Sequence, residues 1–464
     1  MYWMLTKSQH QLRLQNTLLV VASYVFYGWW DWRFLGLIAF STFVDFCAGR
    51  AIEKAISKSR SKLLLAISLV TNLGLLACFK YANFFIESWI EAWAGMGVEM
   101  HASSLNIILP VGISFYTFQT LSYSIDIYRG KLKPTRDPIA FAAFVSFFPQ
   151  LVAGPIERAS KLLPQIERSR TFDKDLAISG LRLILWGMFK KVVVADTCAR
   201  LADKIFDAPE LYSGPTLMLG VFYFAFQIYG DFSGYSDIAI GTGRLFGIRL
   251  STNFKFPYFS RDIAEFWRRW HISLSTWFRD YLYIPLGGSR GSQWQVIRNV
   301  AVIFIVSGFW HGANWTFVIW GAIHALLFIP LILLKRNRKH ASDVVAEGKL
   351  LPSLKEFFSM GSTFVLVCLA WVFFRADTVA GALNYIVGFT ELPTPEKPIT
   401  HVVYTAFVWI GVMALVDWHQ RDGSIPRWWL SRKLQPLRWF TYGMCVWLCL
   451  KNLHSEASFI YFQF

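Results

Sequence analysis

The stretch Trp315–Leu334 reads WTFVIWGAIHALLFIPLILL and contains no Asp, Glu, Lys or Arg. A run of about 20 predominantly apolar residues has the length of an α-helix that crosses the hydrocarbon core of a bilayer. His324 is the titratable side chain within the run, and we expect it to pack or to form a hydrogen bond inside the span. The segment predicts a membrane-spanning helix, and similar blocks lie on both sides of it.

Apolar blocks recur along all 464 residues, of which 55% are hydrophobic and 16% are charged. Soluble globular domains carry about 25% charged residues, so this composition excludes an ordinary soluble enzyme and a disordered chain. We predict an all-α fold, in which residues 1–464 form a single polytopic transmembrane helical bundle of about 11 spans. The predicted spans are Asn16–Trp30, Phe34–Gly49, Leu63–Ile86, Leu105–Ile127, Ile178–Ala195, Pro215–Tyr229, Val296–Trp310, Trp315–Leu334, Phe358–Phe374, Val402–Val416 and Trp439–Leu450.

The net charge is +16, from 46 Lys and Arg against 30 Asp and Glu. Three basic connectors between apolar blocks, 50–62, 335–339 and 421–433, are typical of cytoplasmic loops. This orientation places the C-terminal tail, residues 451–464, outside the cytoplasm. No zinc-finger spacing or other nucleic-acid motif accompanies the charge, so we predict membrane lipid as a partner and no nucleic acid.

Two segments depart from the simple alternation of spans and loops. Ile139–Ala153 is apolar although basic residues flank it on both sides, which predicts a re-entrant element that enters and leaves on the cytoplasmic side. Residues 231–298 form the largest predicted cytoplasmic or interfacial segment, and we expect it to carry catalytic residues. Within it, apolar residues at helical spacing predict a helix that lies in the membrane interface. Its apolar face consists of Trp267, Trp270, Leu274, Trp277 and Tyr281.

Two histidines stand out by their context. His311 lies between two apolar blocks in the stretch VSGFWHGANW, residues 306–315. An ionisable residue at membrane depth indicates a functional site, although a hydrogen-bonded structural histidine fits the same context equally well. His271 lies at the boundary between the apolar and polar faces of the predicted interfacial helix. Taken alone, that position favours an ordinary polar residue of an amphipathic helix.

Other polar residues in apolar surroundings have structural interpretations. Asp231 or Ser233 is expected to cap the helix that follows, and Arg375 and Asp377 to form an ion pair at the end of a span. No two histidines have the spacing of four residues that would put two metal ligands on one helix face. None of the six cysteines forms a CxxC pair. The sequence therefore predicts neither a metal site nor a disulfide framework.

The chain ends in the aromatic hexapeptide FIYFQF, Phe459–Phe464. A chain terminus is ordinarily polar and frayed, whereas an aromatic tail favours burial. Its Tyr461 hydroxyl is a nucleophile that a base such as His311 could activate if the tail inserts into the bundle. The alternative interpretation is a simple hydrophobic plug.

Six motifs together are distinctive: FFPQLVAGPI at 147–156, DFSGYSD at 231–237, NF at 253–254, FWRRWHISLS at 266–275, YLYIPLGG at 281–288 and GFWHG at 308–312. In these motifs the sequence resembles the membrane-bound O-acyltransferase family, in its bacterial branch of alginate O-acetylation proteins. Relatives in that branch usually have a further apolar helix before the segment that matches Asn16–Trp30, and Met1–Leu5 resembles only the end of that helix.

The resemblance implies that His311 is the catalytic histidine and that His271 is a second functional position. Family members move an acyl group from a cytoplasmic thioester to a hydroxyl. In the bacterial branch the group reaches an envelope polysaccharide, usually through a periplasmic partner acyltransferase. In relatives that acylate teichoic acid, a partner peptide ends in a similar aromatic motif whose tyrosine carries the acyl group, which suggests Tyr461 as a carrier here. The predicted substrate-binding residues are Arg268, Arg269, Trp310 and Asn314.

The resulting prediction is a multi-pass O-acyltransferase of the bacterial inner membrane. It binds no cofactor and takes acetyl-CoA, or another acyl thioester, as donor substrate for O-acetylation of an exported, alginate-like polysaccharide. One alternative is a proton-coupled transporter of an acylated lipid or sugar, for which matched repeated halves are typical; the sequence shows no such repeat. A second alternative is a scaffold for a periplasmic enzyme, in which His311 would be dispensable.

Overall fold

The computed structural model describes residues 2–7, 10–100, 105, 107–391, 402–423, 429, 431–453 and 459. Within these residues the chain is helical and contains no β-strand, which confirms the predicted all-α class. The α-helices are α1 (Gln11–Trp30), α2 (Phe34–Glu53), α3 (Lys58–Leu76), α4 (Ala82–Ala94), α5 (Ile113–Tyr128), α6 (Pro138–Ser146), α7 (Phe148–Leu151), α8 (Ala159–Ile166), α9 (Lys174–Met188), α10 (Asp196–Phe206), α11 (Gly214–Leu245), α12 (Ile263–Arg269), α13 (Ile272–Phe278), α14 (Gln293–His311), α15 (Trp315–Leu333), α16 (Leu354–Arg375), α17 (Val379–Val387), α18 (Val402–His419) and α19 (Gln435–Asn452). Three π-helical segments, Ala77–Tyr81, Phe189–Ala195 and Arg279–Tyr283, continue neighbouring helices.

Four helical segments of the described chain are long and apolar enough to cross a membrane: Phe34–Glu53, Lys58–Ala94, Trp315–Leu333 and Leu354–Arg375. The shortest has 19 residues and is about 28 Å long, which is close to the ~30 Å hydrocarbon core of a bilayer. Apolar side chains such as Phe43, Val70 and Leu326 are exposed on these segments, as expected for a surface that contacts lipid. The total of about 11 spans stays a prediction.

The chain folds as two compact units, Met1–Arg182 with Ala239–Ser251, and Leu183–Ile238 with Thr252–Phe464. In the first unit, a buried polar network joins three helices. The Asp45 carboxylate on α2 is fully buried and accepts hydrogen bonds from Ser68 and Asn72 on α3 and from Ser124 on α5. A buried carboxylate needs such donors to offset its desolvation, so the network holds α2, α3 and α5 in register.

The segment predicted to be re-entrant, Ile139–Ala153, belongs to the first unit and contains two short helices. Asp137 caps α6 by accepting from the backbone N–H groups of Ile139 and Ala140. The helix ends at Ser146, and α7 begins after Phe147. Most of the segment is buried within protein, which is the setting that irregular backbone requires at membrane depth. Its re-entrant path stays a prediction.

In the second unit, α14 and α15 form a helical hairpin, and two glycines let the helices cross in close contact. A Cβ atom at Gly308 would overlap the carbonyl oxygen of Phe317, and one at Gly321 would overlap that of Phe304. Small residues of this kind let two helix backbones approach within a membrane bundle. Because α14 ends at His311, this crossing fixes the position of His311 within the second unit.

The helix that contains the predicted span Pro215–Tyr229 continues without a break to Leu245 as α11, and the end of the span itself stays a prediction. Asp231 and Ser233 consequently lie inside the helix and do not cap one. Lys191 pairs with Asp231 at 3.0 Å, and Lys190 pairs with Asp237 at 2.6 Å and donates to Ser233 at 3.0 Å. The two lysines compensate the carboxylates of Asp231 and Asp237, which in the sequence look like the end of a helix. The predicted segment boundary at 231 therefore falls within a continuous helix.

The prediction of one continuous helix from Trp267 to Tyr281 is wrong, whereas its place in the membrane interface stays a prediction. Two short helices, α12 and α13, replace it, separated at Trp270 and His271. Trp267, Trp270 and Trp277 are buried, and the Trp270 ring lies 5.2 Å from that of Trp371 on α16. The aromatic face therefore packs against protein, because the helix break redirects its side chains into the core of the second unit.

Candidate active site

His271 occupies the break between α12 and α13 in a strained backbone conformation. Its φ of 42° lies in the left-handed region, which is uncommon for residues other than glycine. Such a residue costs about 1–3 kcal/mol and persists where the surrounding structure holds it in place. Residues in this conformation cluster at functional sites, which makes His271 a candidate for a functional role.

Asn253 fixes both the position and the tautomer of the His271 ring. The backbone N–H of Ile272 donates to the Asn253 carbonyl at 2.8 Å, and the backbone N–H of Ser273 donates to Asn253 Oδ1 at 3.3 Å. Since Oδ1 can only accept, the His271 Nδ1 atom, 3.1 Å from it, carries the proton that is donated. The neutral ring therefore has its lone pair on Nε2.

The environment of His271 keeps its imidazole uncharged. The side chain is fully buried, with the Phe232 ring at 4.7 Å and the Phe254 ring at 6.3 Å. Burial lowers the pKa of His271 to about 3, because desolvation penalises the imidazolium ion. At neutral pH the ring offers an acceptor nitrogen and no positive charge.

His311 lies at the last residue of α14 and is 4% exposed. Its ring is surrounded by the rings of Trp310 at 5.0 Å, Trp320 at 5.1 Å and Phe374 at 5.5 Å. These contacts come from α14, α15 and α16, so packing from three helices fixes the imidazole. An aromatic enclosure excludes water, and electrostatic interactions inside it are stronger than in solvent.

The fold brings the two predicted histidines together from different helices. The centroids of the His271 and His311 rings lie 6.4 Å apart, with 62° between the ring planes. Trp310, which was predicted to bind substrate, lies beside both, with its ring 6.0 Å from His271. Two buried imidazoles at this distance can contact one reacting group and move a proton to or from it.

The other predicted substrate-binding side chains bond within the protein. Asn314 caps α15 by accepting from the Thr316 N–H at 3.0 Å, and its amide donates to the Asp377 carbonyl at 2.8 Å. Arg268 donates to the backbone carbonyls of Asn337 at 3.0 Å and His340 at 3.1 Å.

Arg269 donates to the Glu265 carboxylate at 2.7 Å. The predicted ion pair between Arg375 and Asp377 is replaced by pairs of Arg375 with Asp203 at 3.0 Å and Asp207 at 3.1 Å. The basic side chains of this region thus hold α10, α12 and the loop after α15 in place.

Tyr461 lies outside the described residues, but Phe459 of the same tail is described. The Phe459 side chain is 8% exposed. Its ring lies 5.3 Å from that of Tyr235 on α11, and the Lys191 Nζ atom lies 6.0 Å from it. Tyr235 is one helical turn from Phe232, whose ring contacts His271. Phe459 therefore packs on the helix that also contacts the candidate site.

Sequence reasoning missed several residues of the site: Asn253, Ser273, Trp320 and Phe374. Asn253 stood within a quoted motif, NF at 253–254, but no local pattern indicates that its amide holds His271. No group of three or more His, Cys, Asp or Glu in the described part of the chain is arranged to hold a metal ion. The arrangement is therefore that of two positioned imidazoles in an aromatic enclosure.

Comparisons with known proteins identify the relatives of the chain. The model of the membrane-bound O-acyltransferase family matches residues 135–347, a range that contains both histidines. A probable alginate O-acetylase of Azotobacter vinelandii is 44% identical over 368 residues, which are 79% of this chain and 71% of that protein. A peptidoglycan O-acetyltransferase of Helicobacter pylori is 36% identical over 401 residues, 81% and 73% of the two chains. A teichoic acid D-alanyltransferase of Streptococcus thermophilus is 32% identical over 283 residues, 57% and 68% of the two chains.

Proposed function

The chain belongs to the membrane-bound O-acyltransferase family and is a multi-pass membrane O-acyltransferase; on this premise we propose that it moves an acetyl group from cytoplasmic acetyl-CoA across the bacterial inner membrane. The acceptor is an exported envelope polysaccharide of the alginate type. Acetyl transfer is favoured by the relatives that O-acetylate alginate and peptidoglycan. The observation that carries the proposal is the close pair of buried rings, His271 and His311.

The first chemical step is proposed to acylate the tail. His311 removes the proton from the Tyr461 hydroxyl, and the phenolic oxygen attacks the thioester carbonyl carbon. The carbon–sulfur bond breaks, an acetyl ester of tyrosine forms, and the coenzyme A thiolate takes up a proton. A base is needed because phenols ordinarily ionise near a pH of about 10.

His271 is proposed to position the thioester or the proton that moves during this step. Its Nδ1–H is held by Asn253, and we propose that Nε2 is the atom that accepts a hydrogen bond during the reaction. Because burial lowers its pKa to about 3, the ring is a weak base and suits orientation better than proton removal. We therefore propose His271 as a positioning group and His311 as the general base.

The second step passes the acetyl group from the tyrosine ester to a polysaccharide hydroxyl on the outer side of the membrane. The hydroxyl oxygen attacks the ester carbonyl, and the phenol of Tyr461 is regenerated. We propose that a periplasmic acyltransferase partner catalyses this transfer. The anchor of Phe459 on Tyr235 supports a tail that is held next to α11.

Arg268 and Arg269 are proposed to attract the phosphates of the donor from the cytoplasmic side. Their guanidinium groups already bond to protein carbonyls and to Glu265. Their proposed contribution is therefore positive charge near acetyl-CoA more than direct hydrogen bonds to it. Replacement of Arg269 by Gln is expected to raise KM for acetyl-CoA and leave kcat nearly unchanged. If the variant has the same KM for acetyl-CoA as the wild type over a range of salt concentrations, Arg269 does not bind the donor.

The proposal is tested by mass spectrometry of the C-terminal peptide after the purified protein turns over isotope-labelled acetyl-CoA. A labelled acetyl group on Tyr461 in the wild type, and none in the Tyr461→Phe variant, is the expected result. Thioester cleavage without any adduct on Tyr461 would leave an O-acyltransferase that uses another acceptor. Absence of thioester cleavage would favour a transporter or a scaffold and overturn the proposed chemistry.

A further inference from the structure

His324 takes part in none of the steps above, although it is fully buried near the middle of α15. Aromatic rings surround it: those of Trp320 at 4.9 Å, Trp267 at 5.0 Å and Phe304 at 6.2 Å. A histidine at this depth of a membrane helix is costly compared with an apolar residue, and such residues commonly serve a function. The packing alone would be satisfied by a leucine or a phenylalanine.

The polar contact of His324 is a hydrogen bond with Trp267. The indole Nε1–H of Trp267 donates to His324 Nδ1 at 3.3 Å. An indole N–H can only donate, so Nδ1 accepts and the ring proton of the neutral imidazole lies on Nε2. Within the part of the chain that the structure describes, no group bonds to Nε2. The ring therefore acts on its surroundings as an acceptor for Trp267.

This hydrogen bond connects the two segments that carry the histidines of the site. Trp267 belongs to α12, and the chain reaches His271 two residues after that helix ends. His324 belongs to α15, which packs on α14 through Gly308 and Gly321, and α14 ends at His311. A shift of α12 against α15 would therefore change the separation of the His271 and His311 rings.

We propose that His324 is a positioning residue for acyl transfer, which accepts from Trp267 to hold α12 on α15 and keep His271 at its distance from His311. The inference rests on the proposed function, because it assigns His324 to a reaction in which both histidines act. A misplacement of about 1 Å at a reacting group can cost about 100-fold in rate. Loss of the hydrogen bond is expected to lower kcat and leave KM for the donor unchanged, because His324 does not touch the donor.

The test compares four variants of the full-length protein in detergent, where kcat is the rate constant of thiol release in a single turnover, because Tyr461 is regenerated only when an acceptor is present. His324→Leu and Trp267→Phe each remove the bond, and each is expected to lower kcat for thiol release from acetyl-CoA by about 10- to 100-fold. The double variant is expected to lose no more than either single variant, because both remove the same interaction. His324→Asn, whose amide oxygen replaces Nδ1 as the acceptor, is expected to restore most of the lost kcat.

Phe328→Leu is the matched control, because Phe328 packs on Phe304 from the same helix but forms no bond with Trp267. It is expected to lower thermal stability and leave kcat per folded molecule near that of the wild type. Additive losses in the double variant, failure of Asn to rescue, or an equal loss in the control would overturn the proposal. If His324→Leu does not fold, Trp267→Phe and His324→Asn decide the outcome.

Hydrogen–deuterium exchange of peptides that cover residues 262–279 supplies a readout that does not depend on activity. The proposal expects faster exchange there in His324→Leu and in Trp267→Phe than in the wild type. If the wild type releases no thiol, the proposed function fails, and unchanged exchange in both variants would separately overturn the positioning role of His324.

Discussion

The imidazole rings of His271 and His311 lie 6.4 Å apart, centroid to centroid, although they come from different helices. The two rings are held in different ways. Asn253 fixes the tautomer of His271 by a hydrogen bond, whereas aromatic rings from three helices enclose His311. His271 is therefore an oriented hydrogen-bond acceptor and His311 is the candidate base, and each histidine leads to its own predictions.

Replacement of Asn253 by Asp should change the pH dependence of the reaction. A carboxylate next to His271 Nδ1 favours the imidazolium ion and raises the pKa of His271 by about one unit or more. If neutral His271 is required, the acidic limb of the kcat profile moves to higher pH. The measurement is kcat for thiol release from acetyl-CoA as a function of pH, with the exposed Asn384→Asp variant on α17 as control. A profile identical to that of the wild type would show that the charge of His271 does not matter.

The lowered pKa of His271 also predicts a loss of stability in acid. The folded protein keeps the ring neutral down to about pH 3, whereas the unfolded chain takes up a proton below about pH 6.5. The free energy of unfolding should therefore fall with decreasing pH in this window, by up to about 1.4 kcal/mol per pH unit from this group.

Denaturation in mixed micelles between about pH 6.5 and pH 4 measures this slope. His271→Gln should reduce it, and His10→Gln, at an exposed position, should leave it unchanged. Equal slopes in all three proteins would contradict the assignment of a buried neutral His271.

The glycine crossing of α14 and α15 predicts a specific sensitivity to a single methyl group. Gly308→Ala would place a Cβ against the Phe317 carbonyl and is expected to destabilise the protein by about 1–3 kcal/mol. Because α14 ends at His311, kcat should fall as well. Gly361→Ala on α16, where a Cβ meets no atom within 4 Å, is the control and should be tolerated in a thermal unfolding assay. Equal behaviour of the two variants would exclude the close crossing.

The anchor of the tail predicts that Phe459 affects acylation of Tyr461. Burial of a phenylalanine side chain stabilises docking by about 1.5–3 kcal/mol, so Phe459→Ala should lower the initial rate of labelled acetyl incorporation into the C-terminal peptide by about 10- to 100-fold. Phe440→Ala, at an exposed position on α19, is the matched control. Incorporation at the wild-type rate in Phe459→Ala would show that the anchor has no role in the reaction.

The sequence was sufficient for features that depend on neighbours along the chain. The uncharged run at 315–334 predicted the long apolar helix observed as α15, and the placement of His311 between two apolar blocks predicted a candidate functional site. The break in the helix at His271 could not be predicted, because the helical spacing of the tryptophans on both sides continues through it. The length of α11 was also hidden, since Lys190 and Lys191, distant in sequence, compensate its carboxylates. The same limit applies to the contact between Asn253 and His271.

The most direct test of the account is thiol release from acetyl-CoA by the detergent-purified protein and its His311→Ala variant. Removal of a general base typically costs about 10²- to 10⁴-fold in rate. The wild type is predicted to release coenzyme A thiol, and His311→Ala to do so at least about 100-fold more slowly while it elutes as a folded protein of the same size. Release at the wild-type rate by the folded variant would contradict the central claim that His311 is the base of the acyl transfer.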